Sequence, residues 1–124
     1  MNRYQVLIAE DEGDLRLVIA EALTQAGLKV AQAQDGKQAY KILTENPQPN
    51  TLLISDLRMP RMDGFELAEA AIAFDPEIKV LMLTGYAEMP VSPAALKARE
   101  VRILHKPVEL DRLCELAMEM LARP

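Results

Sequence analysis

Cysteine occurs once, at Cys114, so no intrachain disulfide framework can brace this chain, and a reducing compartment suits it. Histidine also occurs once, at His105, which leaves no cluster from which to build a zinc-type centre. No apolar run approaches the roughly 18 residues of a membrane span. The start, with one short apolar stretch before Glu10 and Asp11, does not resemble a signal peptide. The phosphate-cradling patterns GxxxxGK(S/T) and GxGxxG are missing, so Gly13 and Gly36 support no nucleotide site. Positive charge is in deficit as well, with 14 Lys and Arg against 19 Asp and Glu and a formal net charge of -5. That balance argues against a cationic stripe for nucleic acid and against attraction to an anionic membrane.

What remains is a chain of 124 residues, 50% hydrophobic and 27% charged, the profile of one globular domain with a real core. We expect a single cytoplasmic domain over residues 1–124, either free-standing or excised from a longer chain. Five short apolar runs alternate with longer amphipathic stretches. The predicted strands are Val6–Ala9, Lys29–Ala33, Leu52–Ser55, Val80–Thr84 and Val101–His105. VLIA, LLIS and VLMLT are almost wholly apolar, as central parallel strands covered on both faces are, whereas KVAQA is more polar and suits an edge.

Between the strands the apolar period lengthens. Leu15, Val18, Ala22, Leu23 and Ala26 mark one helical face, with Gly27 where a left-handed cap belongs. Asp35–Gly36 opens a second helix carrying Ala39, Ile42 and Leu43, which ends near Asn46. Asp63 with Glu66 reads as a capping box opening the third. Ser92 as N-cap, Pro93 at the first helical position and Pro90 before them predict a short, late fourth helix reaching about Arg99. Leu110, Leu113, Cys114, Ala117, Met118 and Leu121 form the inner face of a fifth. Strictly alternating units of this kind predict an α/β, doubly wound, five-stranded parallel sheet of order 2-1-3-4-5 (flavodoxin-like) with five helices.

In such a sheet chemistry gathers at the carboxyl ends of the strands. The first strand runs into Glu10 and Asp11, the third into Asp56, the fourth ends at Thr84 and the fifth runs into Lys106. Three carboxylates in one crevice repel one another unless a cation intervenes, and oxygen ligands of this kind suit Mg²⁺. One carboxylate can then act as a nucleophile toward a phosphoryl donor. Lys106 supplies a point charge, and the Thr84 hydroxyl a donor, for a phosphoryl oxygen. The bland alternative is that such acids are solvated loop residues. His105 reads as structural and Cys114 as core.

The segment Leu53–Leu67, L-I-S-D-L-R-M-P-R-M-D-G-F-E-L, resembles the phosphorylation loop of bacterial response-regulator receiver domains. So do I-A-E-D-E, M-L-T-G-Y and H-K-P-V, and the separations of 45 residues from Asp11 to Asp56, 28 to Thr84 and 22 to Lys106 match as well. The resemblance implies that Asp56 accepts a phosphoryl group from a histidine kinase. It implies Mg²⁺ held by Asp11, Asp56 and the main-chain carbonyl of Arg58, with Glu10 acting through water. Thr84 and Lys106 would sense the phosphoryl group, with a cis bond at Lys106–Pro107. The domain would catalyse only its own phosphotransfer and autodephosphorylation. It would signal to an unknown output protein or domain through the face of fourth helix, fifth strand and fifth helix, and admits a phosphorylation-linked dimer.

Two departures stand out. Ile103 occupies the position where receivers usually carry Tyr or Phe that follows the threonine, and Glu10 stands where Asp is commoner. Arg58 and Tyr86 lie at positions that vary dephosphorylation in receivers. Tyr86 is bulky enough to shield the line of water attack, while small Gly85 leaves the kinase access; otherwise both side chains face solvent. Two rivals remain. A phosphate-independent interaction module, a degenerate receiver, is opposed by the intact Asp11, Asp56, Thr84 and Lys106 set. A flavodoxin-like electron carrier lacks its hydroxyl-rich loop after the first strand.

Overall fold

The computed structural model describes residues 3–85 and 101–123. The strands are β1 (Val6–Ala9), β2 (Val30–Ala33), β3 (Leu52–Asp56), β4 (Lys79–Thr84) and β5 (Val101–His105). Among the described residues the helices number four, not five: α1 (Gly13–Gln25), α2 (Gly36–Glu45), α3 (Gly64–Phe74) and α4 (Leu110–Ala122). The short helix expected from Ser92 to Arg99 lies outside the described residues, so the expected fifth helix of the sequence is here α4. All strand pairs are parallel and run in the order β2-β1-β3-β4-β5, as expected.

The two faces follow from strand alternation. Leu7, Ala9, Leu53, Val80 and Met82 pack under α2 and α3, together with Ala39, Leu43, Leu67 and Ala71. Val6, Ile8, Leu52, Ile54, Leu81 and Leu83 point the other way, against Ile19, Leu23, Leu113 and Leu116 of α1 and α4. Burial on both sides explains why these runs have no polar alternation. β2 is an edge, as its polarity suggested.

Several expected helix faces are corrected. The inner stripe of α1 is Ile19, Ala20 and Leu23, with Leu15 packed beside them, while Val18 is 45% exposed and Ala26 lies in solvent. The spacing i, i+4, i+8 centres on Leu15, Ile19 and Leu23, and Val18 falls off that line by one residue, about 100° of rotation. On α4 the inner residues are Leu113, Leu116, Ala117 and Met120; Met118 is 46% exposed, and Cys114 is only half-buried.

The helix starts behave as the sequence indicated. Asp35 caps α2 by accepting from the backbone N–H of Gln38, and Asp63 and Glu66 form the reciprocal box at α3. α1 ends before Gly27 at φ +96, a region where glycine meets no Cβ penalty. Asp35 has a second partner, Arg61 at 3.2 Å, in the β3–α3 loop, and Arg61 itself sits in the left-handed region at φ 70. A close approach fixes the other end of that loop. A methyl group at Gly64 would lie 2.5 Å from the carbonyl oxygen of Asp56 and 2.9 Å from Leu57 Cα, so only glycine lets α3 start against the end of β3.

Candidate functional site

The carboxyl ends of β1 and β3 deliver Glu10, Asp11 and Asp56 to one place. One carboxylate oxygen from each lies within 4.8 Å of those from the other two, with Glu10 and Asp56 buried and Asp11 exposed. Lys106, just past β5, reaches across with Nζ 3.0 Å from Asp56 Oδ1 and 3.6 Å from Glu10 Oε1. The backbone hydrogen bond from Lys106 N–H to the Thr84 carbonyl sets its entry, and its bond to Pro107 is cis, as expected.

The acids are under strain. Glu10 is 1% exposed, and burial followed by the neighbouring Asp56 charge pushes its carboxyl up to about 7. Burial also raises Asp56, partly offset by the hydrogen bond from Lys106. For Lys106, burial works to lower the ammonium, but the hydrogen bond and charge of Asp56, then Glu10, outweigh it and the net shift is upward. Glu10 Oε2 accepts from the backbone N–H of Glu12 at 3.1 Å, whereas buried Oε1 has no hydrogen-bond partner among the described residues. A buried carboxylate oxygen with no hydrogen bond, beside two further acids, fits a divalent cation with oxygen ligands.

The remaining expected residues are distributed unevenly. Thr84 is fully buried, and its hydroxyl is hydrogen-bonded to Nδ1 of His105 at 3.1 Å rather than standing ready beside Asp56. Arg58 is exposed in the loop after Asp56, Gly85 is half-buried and Pro107 exposed. Tyr86 lies outside the described residues. Ile103 stands 40% exposed on β5.

Two participants were not assigned to the site from the sequence. Arg16 on α1 donates from Nη1 to the Glu10 carbonyl at 2.9 Å, holding the acidic turn against the helix. An arginine one turn into a helix carries no local signal of this. His105, read as structural, touches the site through Thr84. Its signal was present: both residues end parallel strands, and parallel register sets them side by side.

Residues 6–118 match the response regulator receiver domain family. The chain is 38% identical over 117 residues to the response regulator receiver protein CpdR of Brucella abortus, covering 94% of this chain and 96% of that one. It is 35% identical over 115 residues to the probable chemotaxis protein CheY of Rhizobium etli, covering 90% and 87%. Among solved structures, the receiver domain of the hybrid histidine kinase CckA superposes with a TM-score of 0.78 at 31% identity, covering 94% of this chain and 97% of that one. No described helix is long and apolar enough to cross a membrane.

Proposed function

Because the chain belongs to the response regulator receiver domain family of two-component signalling, we propose that Asp56 is its phosphoacceptor and a histidine kinase its phosphodonor. The observation that carries this reading is the buried Asp56 carboxylate, 3.0 Å from Lys106 Nζ and flanked by Glu10 and Asp11 at the strand ends.

The chemistry follows from the residues. An oxygen of the Asp56 carboxylate attacks phosphorus, the phosphorus–nitrogen bond of the donor phosphohistidine breaks, and the imidazole leaves with the bonding pair. Asp11, Asp56 and the main-chain carbonyl of Arg58 would hold Mg²⁺, with Glu10 acting through water. When bound, the ion neutralises the acids and the incoming phosphoryl oxygens. Lys106 supports the negative charge at the Asp56 oxygens, and the Thr84 hydroxyl supplies a donor to the product. The domain turns over no metabolite, acting only on its own acyl phosphate. The signal leaves through the face that includes β5 and α4 toward an output protein or domain.

A small phosphodonor such as acetyl phosphate, with Mg²⁺, should add one phosphoryl group to the wild type and none to Asp56→Asn, read by intact-mass spectrometry. A wild type that stays unmodified, and that also fails to bind beryllium fluoride, would favour the phosphate-independent interaction module instead.

A further inference from the structure

Thr84 and His105 are the last residues of neighbouring strands and face each other in register. Thr84 is fully buried, His105 is exposed, and one hydrogen bond of 3.1 Å between Oγ1 and Nδ1 joins the crevice to the rim of the sheet. Thr84 also lies one residue beyond Leu83, the register partner of Asp56, so it flanks the acceptor strand at its carboxyl end.

A hydroxyl carries one proton to donate, and a neutral imidazole carries one proton on either of its nitrogens. With the ring proton on Nε2, Nδ1 accepts and the Thr84 proton is committed to it. With the ring proton on Nδ1, His105 donates to Oγ1 and the Thr84 proton is released for another acceptor. In the unmodified protein His105 is the hydroxyl's one hydrogen-bond partner among the described residues; the first arrangement is the one that gives the hydroxyl proton an acceptor there. A phosphoryl group on Asp56 changes the competition. Its charged oxygens form stronger hydrogen bonds than a neutral ring nitrogen does.

Resting on the assignment of Asp56 as phosphoacceptor, we propose that His105 is a positioning residue whose tautomer follows the phosphorylation state. The phosphoryl oxygens take the Thr84 hydroxyl proton as a hydrogen bond, and Oγ1 then accepts from Nδ1–H. Solvent water removes the proton from Nε2 and delivers one to Nδ1, so no proton is gained or lost overall and no covalent bond other than N–H changes. The exposed ring thereby presents an acceptor at Nε2 where it had presented a donor. A partner at the end of β5 is offered the opposite hydrogen-bond polarity without any large side-chain swing. This gives the chain a route outward from Thr84 that does not depend on Ile103.

The single histidine makes the test direct. The full chain is labelled with nitrogen-15 at the imidazole, and long-range proton–nitrogen spectra are recorded at mildly alkaline pH with Mg²⁺. Spectra are taken before and after acetyl phosphate, with intact mass measured on the same samples. The expected result is an Nε2–H ring that becomes an Nδ1–H ring on phosphorylation. In Thr84→Ala the exchange should be lost, and in Thr84→Ser regained. A phosphoryl group present by mass with an unchanged tautomer overturns the inference and leaves the phosphoacceptor assignment standing. An exchange that persists in Thr84→Ala overturns it equally. No phosphoryl group by mass overturns the assignment and the inference together.

Discussion

β1 and β3 lead into the acids, and every one of their residues is buried; β5 carries the proposed route outward, and none of its residues is. The difference follows from position in the sheet. The inner strands are covered by helices on both faces, which fixes the backbone under Glu10 and Asp56 and holds those two carboxylates away from water. β5 has β4 on one side, and Ile103 and His105 are exposed on it. The acidic cluster is thus placed where the structure resists change, and the proposed partner contact where it does not. Substitutions in the two halves should separate accordingly.

The largest effect is expected at the junction of β3 and α3. Gly64→Ala forces a methyl group against the Asp56 carbonyl oxygen and should cost about 3 kcal/mol, measured by urea denaturation. A near-neutral result would show that the inner half yields as readily as the rim.

Next comes pH. The folded Glu10 carboxyl keeps its proton up to about 7, against 4.5 for the ordinary group, so the folded state binds more protons in that window. Stability from this residue is therefore fully present below about 4.5 and drains as the pH rises to about 7. The fall should be on the order of 2 kcal/mol in Mg²⁺-free buffer, and smaller in Glu10→Gln. Denaturation curves across that range that superpose for wild type and variant would contradict it.

Asp11→Asn should weaken Mg²⁺ binding roughly tenfold, about 1.4 kcal/mol, through loss of a direct ligand. The same change should raise stability without the ion by relieving repulsion in the pocket. Equal Mg²⁺ affinity by titration calorimetry would remove Asp11 from the site. The smallest effect belongs to the rim: Ile103→Ala should alter stability by about 0.5 kcal/mol or less, and a larger loss would mean that Ile103 is a packing residue.

The same division explains what could be read from the sequence. VLIA, LLIS and VLMLT announced strands because double-sided burial leaves no other use for such runs. Asp35 and Asp63 announced helix starts because their partners lie within three residues. The faces of α1 and α4 were harder. Both helices are apolar over more than one stripe, so Val18 and Met118 compete with Ile19 and Met120 until the sheet and the neighbouring helix decide. At the site, the acids and Lys106 were legible from strand ends alone. The contact from Arg16 to the Glu10 carbonyl was not, because it depends on a side-chain direction set by tertiary packing; that from Thr84 to His105 was foreshadowed only by the two strand ends lying side by side.

The pairing of Asp35 with Arg61 bears on the cost of each cycle of the proposed phosphotransfer. Together with the close seat of Gly64, it ties the stretch after Asp56 to α2 at one end and to β3 at the other. A free loop of that length would lose conformational entropy each time a donor docked. Here that loss is incurred when the chain folds, so in the proposed phosphotransfer each donor would meet a loop already in its working shape.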